Sequence, residues 1–311
     1  MTRSQVDYIL ALDKYKSFGK AADACFVTQS TLSTMVGKFE KQIGFTLFNR
    51  KTKPISLTSN GAQIIKSLKN VQREFKLLDE HINEAKGKEF GNVGLACIPT
   101  VAPFLYPLFL NNISEKYKHV DFTIHEFTTE HIINDLLSGN IDIGIVSTPL
   151  EHKDLIEYPL YQEEFLLYDC GKKVSKAIRK VSQLDFERLW LLEEGHCLRN
   201  QIGKICELRK VKKTNGNLIY NCGTLFSVLE MVKINKGITL IPSLALTKNK
   251  HIIQDNVYKL AEPVPVREIG LVVHKNFVKK RILKYLEQTI KKVTMPLLAH
   301  QSSSQVLVKP F

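Results

Sequence analysis

Ile64, Leu68, Val71, Phe75, Leu78 and Ile82 are separated by 4, 3, 4, 3 and 4 residues. That spacing is a heptad seam, narrower than the stripe of a helix lying on a globular core. It predicts one long helix from Ser59 and favours packing between two chains, as a homodimer, over burial within one. Lys86–Gly87–Lys88 and Gly91 mark a hinge after it. The helix also divides the chain, because the pattern before it is purely helical and the pattern after it alternates strands with helices.

Ahead of the seam, Val6, Ile9, Leu10 and Leu12 give one apolar helical face. A short Ala-rich helix follows over Phe18–Cys25. Thr28 stands as an N-cap, and a third helix carries Leu32, Met35, Val36, Phe39 and Ile43 to a closing Gly44. The next run, TLFNRKTKPISLT, is short, extended and basic, as a hairpin wing is. Helix, tight turn, helix and basic hairpin together place one helix in a DNA major groove. On that helix Gln29 suits adenine, while Ser30, Thr31, Ser33 and Thr34 suit base edges or phosphate, with Lys38 further along. Arg50, Lys51 and Lys53 on the wing suit backbone phosphates. The plainer reading of the same residues is a solvated polar helix with surface lysines. A formal net charge of +13 and a pI near 9.3 favour a polyanionic partner.

Beyond the hinge, strands are predicted at Val93–Ile98, Phe122–Glu126, Ile141–Val146, Phe165–Tyr168, Trp190–Leu192, Ile238–Ile241 and Ile269–Val273. Helices are predicted near Pro107–Tyr117, Thr129–Leu137, Cys197–Leu208, Leu225–Ile234 and Lys279–Lys292. Such alternation implies an α/β domain with a mostly parallel sheet. The partition is 1–58 for the winged helix-turn-helix and 59–90 for the linker helix and hinge. An α/β domain then spans 91–298, and 299–311 form a polar tail expected to be poorly ordered. No stretch has the length of a membrane span, and no export signal precedes the first helix, so the chain is expected in the cytoplasm, away from membranes. In such a compartment six cysteines are packing or reactive residues, not a disulfide framework.

The run SFGKAADACFVTQSTLSTMVGKFEKQIGFTLFNRKTKPISLTSNGAQII resembles the DNA-binding segment of the LysR family. AAD, TQSTLS, KFEKQIG, LFNR and LTSNG fall in order and at the family's spacing. Ser30 stands where Pro is common, and Gly37 where a basic residue is common, which bears on the operator sequence. LLSGNIDIGIV and KGITLIPSLAL resemble effector-domain signatures of the same family. The resemblance implies two Rossmann-like α/β subdomains around a cleft, similar to periplasmic binding proteins. It implies promoter double-stranded DNA and RNA polymerase as partners, and a homodimer or homotetramer.

LLEEGHCLRNQIGKIC is similar to the peroxide-sensing OxyR branch, in which GHCLRDQ carries the reactive cysteine and a second cysteine lies nine residues on. The resemblance assigns Cys197 and Cys206 as the redox pair and hydrogen peroxide as effector. Thr100, Thr129, His196 and Arg267 are its pocket. Resetting falls to a thiol reductant of glutaredoxin or thioredoxin type. The chemistry asks for a thiolate at Cys197, whose pKa a helix N-terminus, Arg199, His196 or Arg267 would lower. Nine residues of helix span roughly 13 Å, and a disulfide needs Cα atoms within roughly 7 Å, so bonding requires the helix to unwind. Asn200 replaces the motif's Asp and cannot carry its charge. Cys25, Cys97 and Cys170 fit inert packing, and Cys222 stays open. The set lacks a metal site and needs no cofactor. Two other readings use the same residues. One is a regulator binding a small anionic metabolite through Thr100, Thr129 and Arg267. The other, a thiol peroxidase, would need a docking site for its reductant, for which nothing in the sequence provides.

Overall fold

The computed structural model describes residues 1–85, 91–171, 178–207, 220–247, 252–299 and 302–311. The chain divides into two compact units, Met1–Lys88 and Glu89–Phe311. The hinge expected at Lys86–Gly87–Lys88, and Leu208 at the end of one expected helix, lie outside the described residues.

In the first unit, α1 (Arg3–Tyr15) opens with a reciprocal cap: Gln5 N–H donates to Thr2 Oγ1 (3.3 Å) and Thr2 N–H to Gln5 Oε1 (2.9 Å). Ser17 caps α2 (Phe18–Ala24), and Thr28 caps α3 (Gln29–Ile43), which ends at Gly44 with φ +85°, a backbone that glycine adopts without cost. The wing is β1 (Phe48–Asn49) antiparallel to β2 (Ser56–Leu57). Val6, Ile9, Leu12, Ala21, Leu32, Val36 and Leu47 form its fully buried core. Then α4 (Ser59–Ala85) runs for roughly 40 Å. Its first turn passes so close to the wing that a Cβ at Gly61 would stand 2.2 Å from the Leu47 carbonyl oxygen. Glycine is therefore obligatory there.

The heptad seam does not serve a second chain along its whole length. Leu68 is 4% exposed within this one chain, and Ile65, off the seam, is buried beside it. Ile64, Val71 and Phe75 pack partly against the helix-turn-helix core. Leu78 (56%) and Ile82 (44%) stand open. The expectation that the seam favours two chains over burial within one is corrected for its N-terminal half, which α1 covers, with Gln72 Nε2 donating to Asp7 and the Arg3–Asp79 ion pair tying the two helices further along α4.

The second unit contains β3 (Gly91–Cys97), α5 (Ala102–Lys116), β4 (Val120–Glu126), α6 (Thr129–Ser138), β5 (Ile143–Thr148) and β6 (Leu155–Asp169). After these come α7 (Cys197–Ile205), α8 (Leu225–Ile234), β7 (Ile238–Pro242), β8 (Val257–Lys259), β9 (Val264–His274), α9 (Lys280–Thr294) and β10 (Gln305–Leu307). Among the described residues the strand order is β4-β3-β5-β9-β6-β7, with β8 on β6 and β10 on β9. The sheet is mixed, not mostly parallel. Strands β4, β3 and β5 are parallel, but β9 runs antiparallel to β5 and β6, and β6 antiparallel to β7 and β8. The cause is β9, which runs opposite to β5 and β6 on either side of it, while β6 keeps the direction of β5 and is long enough to serve two neighbourhoods. Its residues 155–164 pair with β9, and its residues 165–169 with β7 and β8. Alternation of strand and helix in sequence conceals such a crossing strand.

Two further differences follow from local chemistry. Trp190–Leu192 is not a strand; Leu189 and Leu192 make only single bridges, to Ile238 and Cys222. Helix α5 begins at Ala102, with proline in its first turn, and carries Pro107 inside it. The tail is also corrected: residues 305–307 form β10, parallel to β9 in the register Gln305↔Val264 to Leu307↔Val266.

Candidate thiol site and nucleic-acid interface

Cys197 is the first residue of α7, after the N-cap His196. Around it the second unit gathers side chains from far apart in sequence. Thr129 opens α6, Thr100 follows β3, and Arg267 lies in β9 directly opposite Glu163 of β6. Arg267 (1% exposed) and Glu163 (0%) form an ion pair at 2.9 Å. The guanidinium Nε donates to Glu163 Oε1 at 2.9 Å, Nη1 to Thr100 Oγ1 at 3.1 Å and Nη2 to the Thr100 carbonyl at 3.3 Å. Glu163 Oε2 accepts from Leu244 N–H at 2.9 Å. A buried charge persists only when so paired and hydrogen-bonded.

Burial is the largest influence on the Cys197 thiol and raises its pKa. Arg267, the Thr129 hydroxyl and the N–H groups at the start of α7 pull the other way, and burial prevails. The expected lowering of this pKa is therefore corrected for the reduced, buried arrangement. His196 does not supply positive charge, because burial lowers its pKa and keeps the imidazole neutral near pH 7. Arg199 is turned away, donating to the Leu192 carbonyl at 2.6 Å and lying 3.9 Å from Glu194. Thr129 Oγ1 is buried without a hydrogen bond of normal geometry, yet lies close enough to the thiol to favour a thiolate.

Cys206 is the C-cap of the same helix, its N–H bonded to the Ile202 carbonyl at 2.9 Å. Burial pushes its thiol up to about 12. All six cysteines are free. Cys222 is buried at the bridge to Leu192, and its pKa is raised by burial and by Glu193. Among the described residues no group of three His, Cys, Asp or Glu side chains is arranged to hold a metal.

Sequence reasoning missed Glu163, Ser147 and the setting of Gln201. Gln201, midway along α7 and fully buried, donates to Ser147 Oγ at 3.1 Å and to the Val308 carbonyl at 2.8 Å. A signal for Glu163 existed: it and Arg267 are opposite charges inside apolar strand sequence, and interior charges must find each other.

In the first unit Gln29, Ser30, Thr31, Thr34 and Lys38 are exposed along α3, and Ser33 is half-buried. Thr28 Oγ1 accepts from Thr31 N–H and bonds the hydroxyls of Ser30 (2.9 Å) and Thr31 (2.8 Å), fixing the helix's leading edge. Lys51 and Lys53 are exposed on the wing. Arg50 has a structural task as well. It donates to Glu40 Oε2 at 2.8 Å and lies over the Phe18 ring. Buried Glu40 also accepts from Leu47 and Phe48 N–H, so the pair ties the wing to α3.

Residues 4–62 match the lysR-family bacterial regulatory helix-turn-helix, and residues 86–292 match the LysR substrate binding domain. The chain belongs to the LysR family of DNA-binding transcription regulators. Within that family it is of the OxyR type. The hydrogen peroxide-inducible genes activator of Haemophilus influenzae is 31% identical over 88% of this chain and 90% of its own length. The DNA-binding transcriptional dual regulator OxyR of Escherichia coli K12 is 31% identical over 88% and 89%. A full-length OxyR variant of Pseudomonas aeruginosa superposes with a TM-score of 0.74 at 25% identity, over 94% of this chain and 98% of that one.

Proposed function

We propose that this chain is a hydrogen-peroxide-inducible transcription activator whose switch is the pair Cys197 and Cys206. One observation carries the reading: the two thiols occupy opposite ends of one short helix, and only Cys197 has a cation and a hydroxyl beside it. Peroxide accepts the Cys197 sulfur as nucleophile; the O–O bond breaks, one oxygen stays as sulfenic acid and the other leaves as hydroxide, taking up the thiol's proton to become water. Arg267, Thr129 and the α7 N–H groups stabilise the transient thiolate. Cys206 then attacks the sulfenic sulfur, the S–S bond forms and a second water leaves. Because the helix holds the sulfurs apart, this step unwinds α7 and biases a two-state element.

Gln29, Ser30, Thr31, Ser33, Thr34 and Lys38 would meet base edges and phosphates of promoter DNA, with Lys51 and Lys53 on the backbone. The open Leu78 and Ile82 supply a dimer contact, from which a tetramer is built. RNA polymerase is the downstream partner, oxidative-stress genes the target, and a glutaredoxin- or thioredoxin-type reductant resets the thiols. An anionic metabolite would require an unneutralised cation, and Glu163 already balances Arg267. The test is disulfide mapping by mass spectrometry before and after sub-stoichiometric peroxide, alongside a promoter reporter. A Cys197–Cys206 bond that tracks induction is expected. Full induction in Cys197→Ser sinks the reading.

A further inference from the structure

The C-terminal segment lies across the helix that carries both thiols. Its strand β10 is zipped to β9, and the contact continues on either side. Val264 N–H donates to the Ser304 carbonyl at 2.9 Å and Val308 N–H to the Val266 carbonyl at 2.8 Å. Val266 immediately precedes Arg267, so the segment is anchored on the strand that sets the field at Cys197. From there it reaches α7. Gln201 Nε2 donates to the Val308 carbonyl at 2.8 Å, and Lys204 Nζ to the carbonyls of Lys309 (3.3 Å) and Phe311. Val308 packs on the main core and Pro310 is buried. Lys309 Nζ closes the far end on Glu151 at 2.6 Å.

Gln201 and Lys204 both lie between Cys197 and Cys206 along the helix. The turn that must unwind for those sulfurs to meet is therefore the turn that the segment grips. Each bond that unwinding would break shifts the opening equilibrium against unwinding, and backbone bonds to β9 give the strap a fixed anchor.

We propose that residues 302–311 are a strap that holds α7 in its reduced form and thereby sets the peroxide dose at which the switch trips. The part concerning dose rests on the redox function proposed above. Release of the strap is the conformational step that oxidation must drive, and loosening it makes the sensor more sensitive.

The experiment uses the reduced full-length chain, a chain ending at residue 303, and Lys204→Met, which keeps side-chain bulk but removes both lysine bonds. Two quantities are read: amide hydrogen exchange over α7 without peroxide, and the peroxide dose for half-formation of the Cys197–Cys206 disulfide. Exchange over α7 should be about tenfold faster in the shortened chain and about threefold faster in Lys204→Met, with the dose falling by similar factors. If the shortened chain fails to fold, Lys204→Met carries the test. Unchanged exchange in the folded variants overturns the strap, and faster exchange at an unchanged dose overturns its role in the threshold. Faster exchange in a chain that never forms the disulfide supports the grip on α7 while the redox function itself fails.

Discussion

Replacing Glu163 by Gln and, separately, Arg267 by Met disturbs one buried pair from its two ends. Both side chains are at most 1% exposed, so solvent does not screen the loss. Glu163→Gln leaves the guanidinium without its counter-charge. Arg267→Met leaves the carboxylate with only the Leu244 N–H and frees Thr100. Breaking one side of such a pair costs about 3–5 kcal/mol of stability, and both variants should show a loss of this size in urea unfolding of the reduced protein. Their effects on the thiol should be opposite. Arg267 lowers the pKa of Cys197, so Arg267→Met raises it further and slows reaction with peroxide. Glu163→Gln leaves an uncompensated cation nearby and quickens it. Each unit of pKa changes the thiolate population about tenfold near neutral pH, while the weaker nucleophilicity of a less basic thiolate cuts the net effect to about threefold per unit. Stopped-flow mixing of the reduced variants with peroxide reads this directly. Rates that move in the same direction, or a pair of variants as stable as the parent, would refute the argument that this ion pair tunes Cys197.

Other outcomes are expected at the thiols, the DNA-facing helix and the linker helix. Because burial holds the Cys197 thiol above its ordinary value, its rate with peroxide should climb from about pH 6 to pH 9 without a plateau. By the same linkage the thiol favours the fold below its unfolded pKa, and that contribution is lost as pH rises through the folded pKa; a rate that levels off near neutrality refutes both statements. Gln29→Ala should weaken binding to a defined operator by about 1–3 kcal/mol and spare non-specific binding. Arg50→Ala should weaken all binding and also destabilise the first unit by about 1 kcal/mol, a modest figure because the guanidinium is half-exposed; thermal melting of the first unit separates the two effects. Cys206→Ser should accumulate a sulfenic acid at Cys197 that a dimedone-type reagent traps, whereas Cys222→Ser should form the parent's disulfide; a Cys222 adduct in the peptide map would reassign the pairing. Leu78→Asp with Ile82→Asp should abolish dimerisation in sedimentation while the first unit stays folded, and Leu68→Asp should unfold that unit in the monomer itself.

What could be read beforehand followed from patterns that are local. Caps at Thr28 and Gly44 fixed the limits of α3, and the GHCLRNQ motif located Cys197 at a helix start. The mixed sheet was hidden because nothing in a strand's own residues states its direction; β9 inserts between β5 and β6 and runs opposite to both. The seam misled for a related reason. A heptad stripe records that one face is apolar, and α1 claims half of that face before any partner can. Burial decided the chemistry in the same way. Arg199 stands two residues from Cys197 in sequence, yet its side chain turns to Leu192, while Arg267, seventy positions on, reaches the thiol's surroundings because β9 and α7 converge there. Charge close in sequence is a poor guide to field at a buried sulfur. Glu163 carries the point further: without it Arg267 could not stay inside, and without Arg267 the Thr100 hydroxyl would lose its donor. On the proposed function the thiol's reactivity is thus bound to the stability of the strand pair beside it, so variants selected for a changed peroxide threshold should concentrate on β6, β9 and the segment zipped beside them.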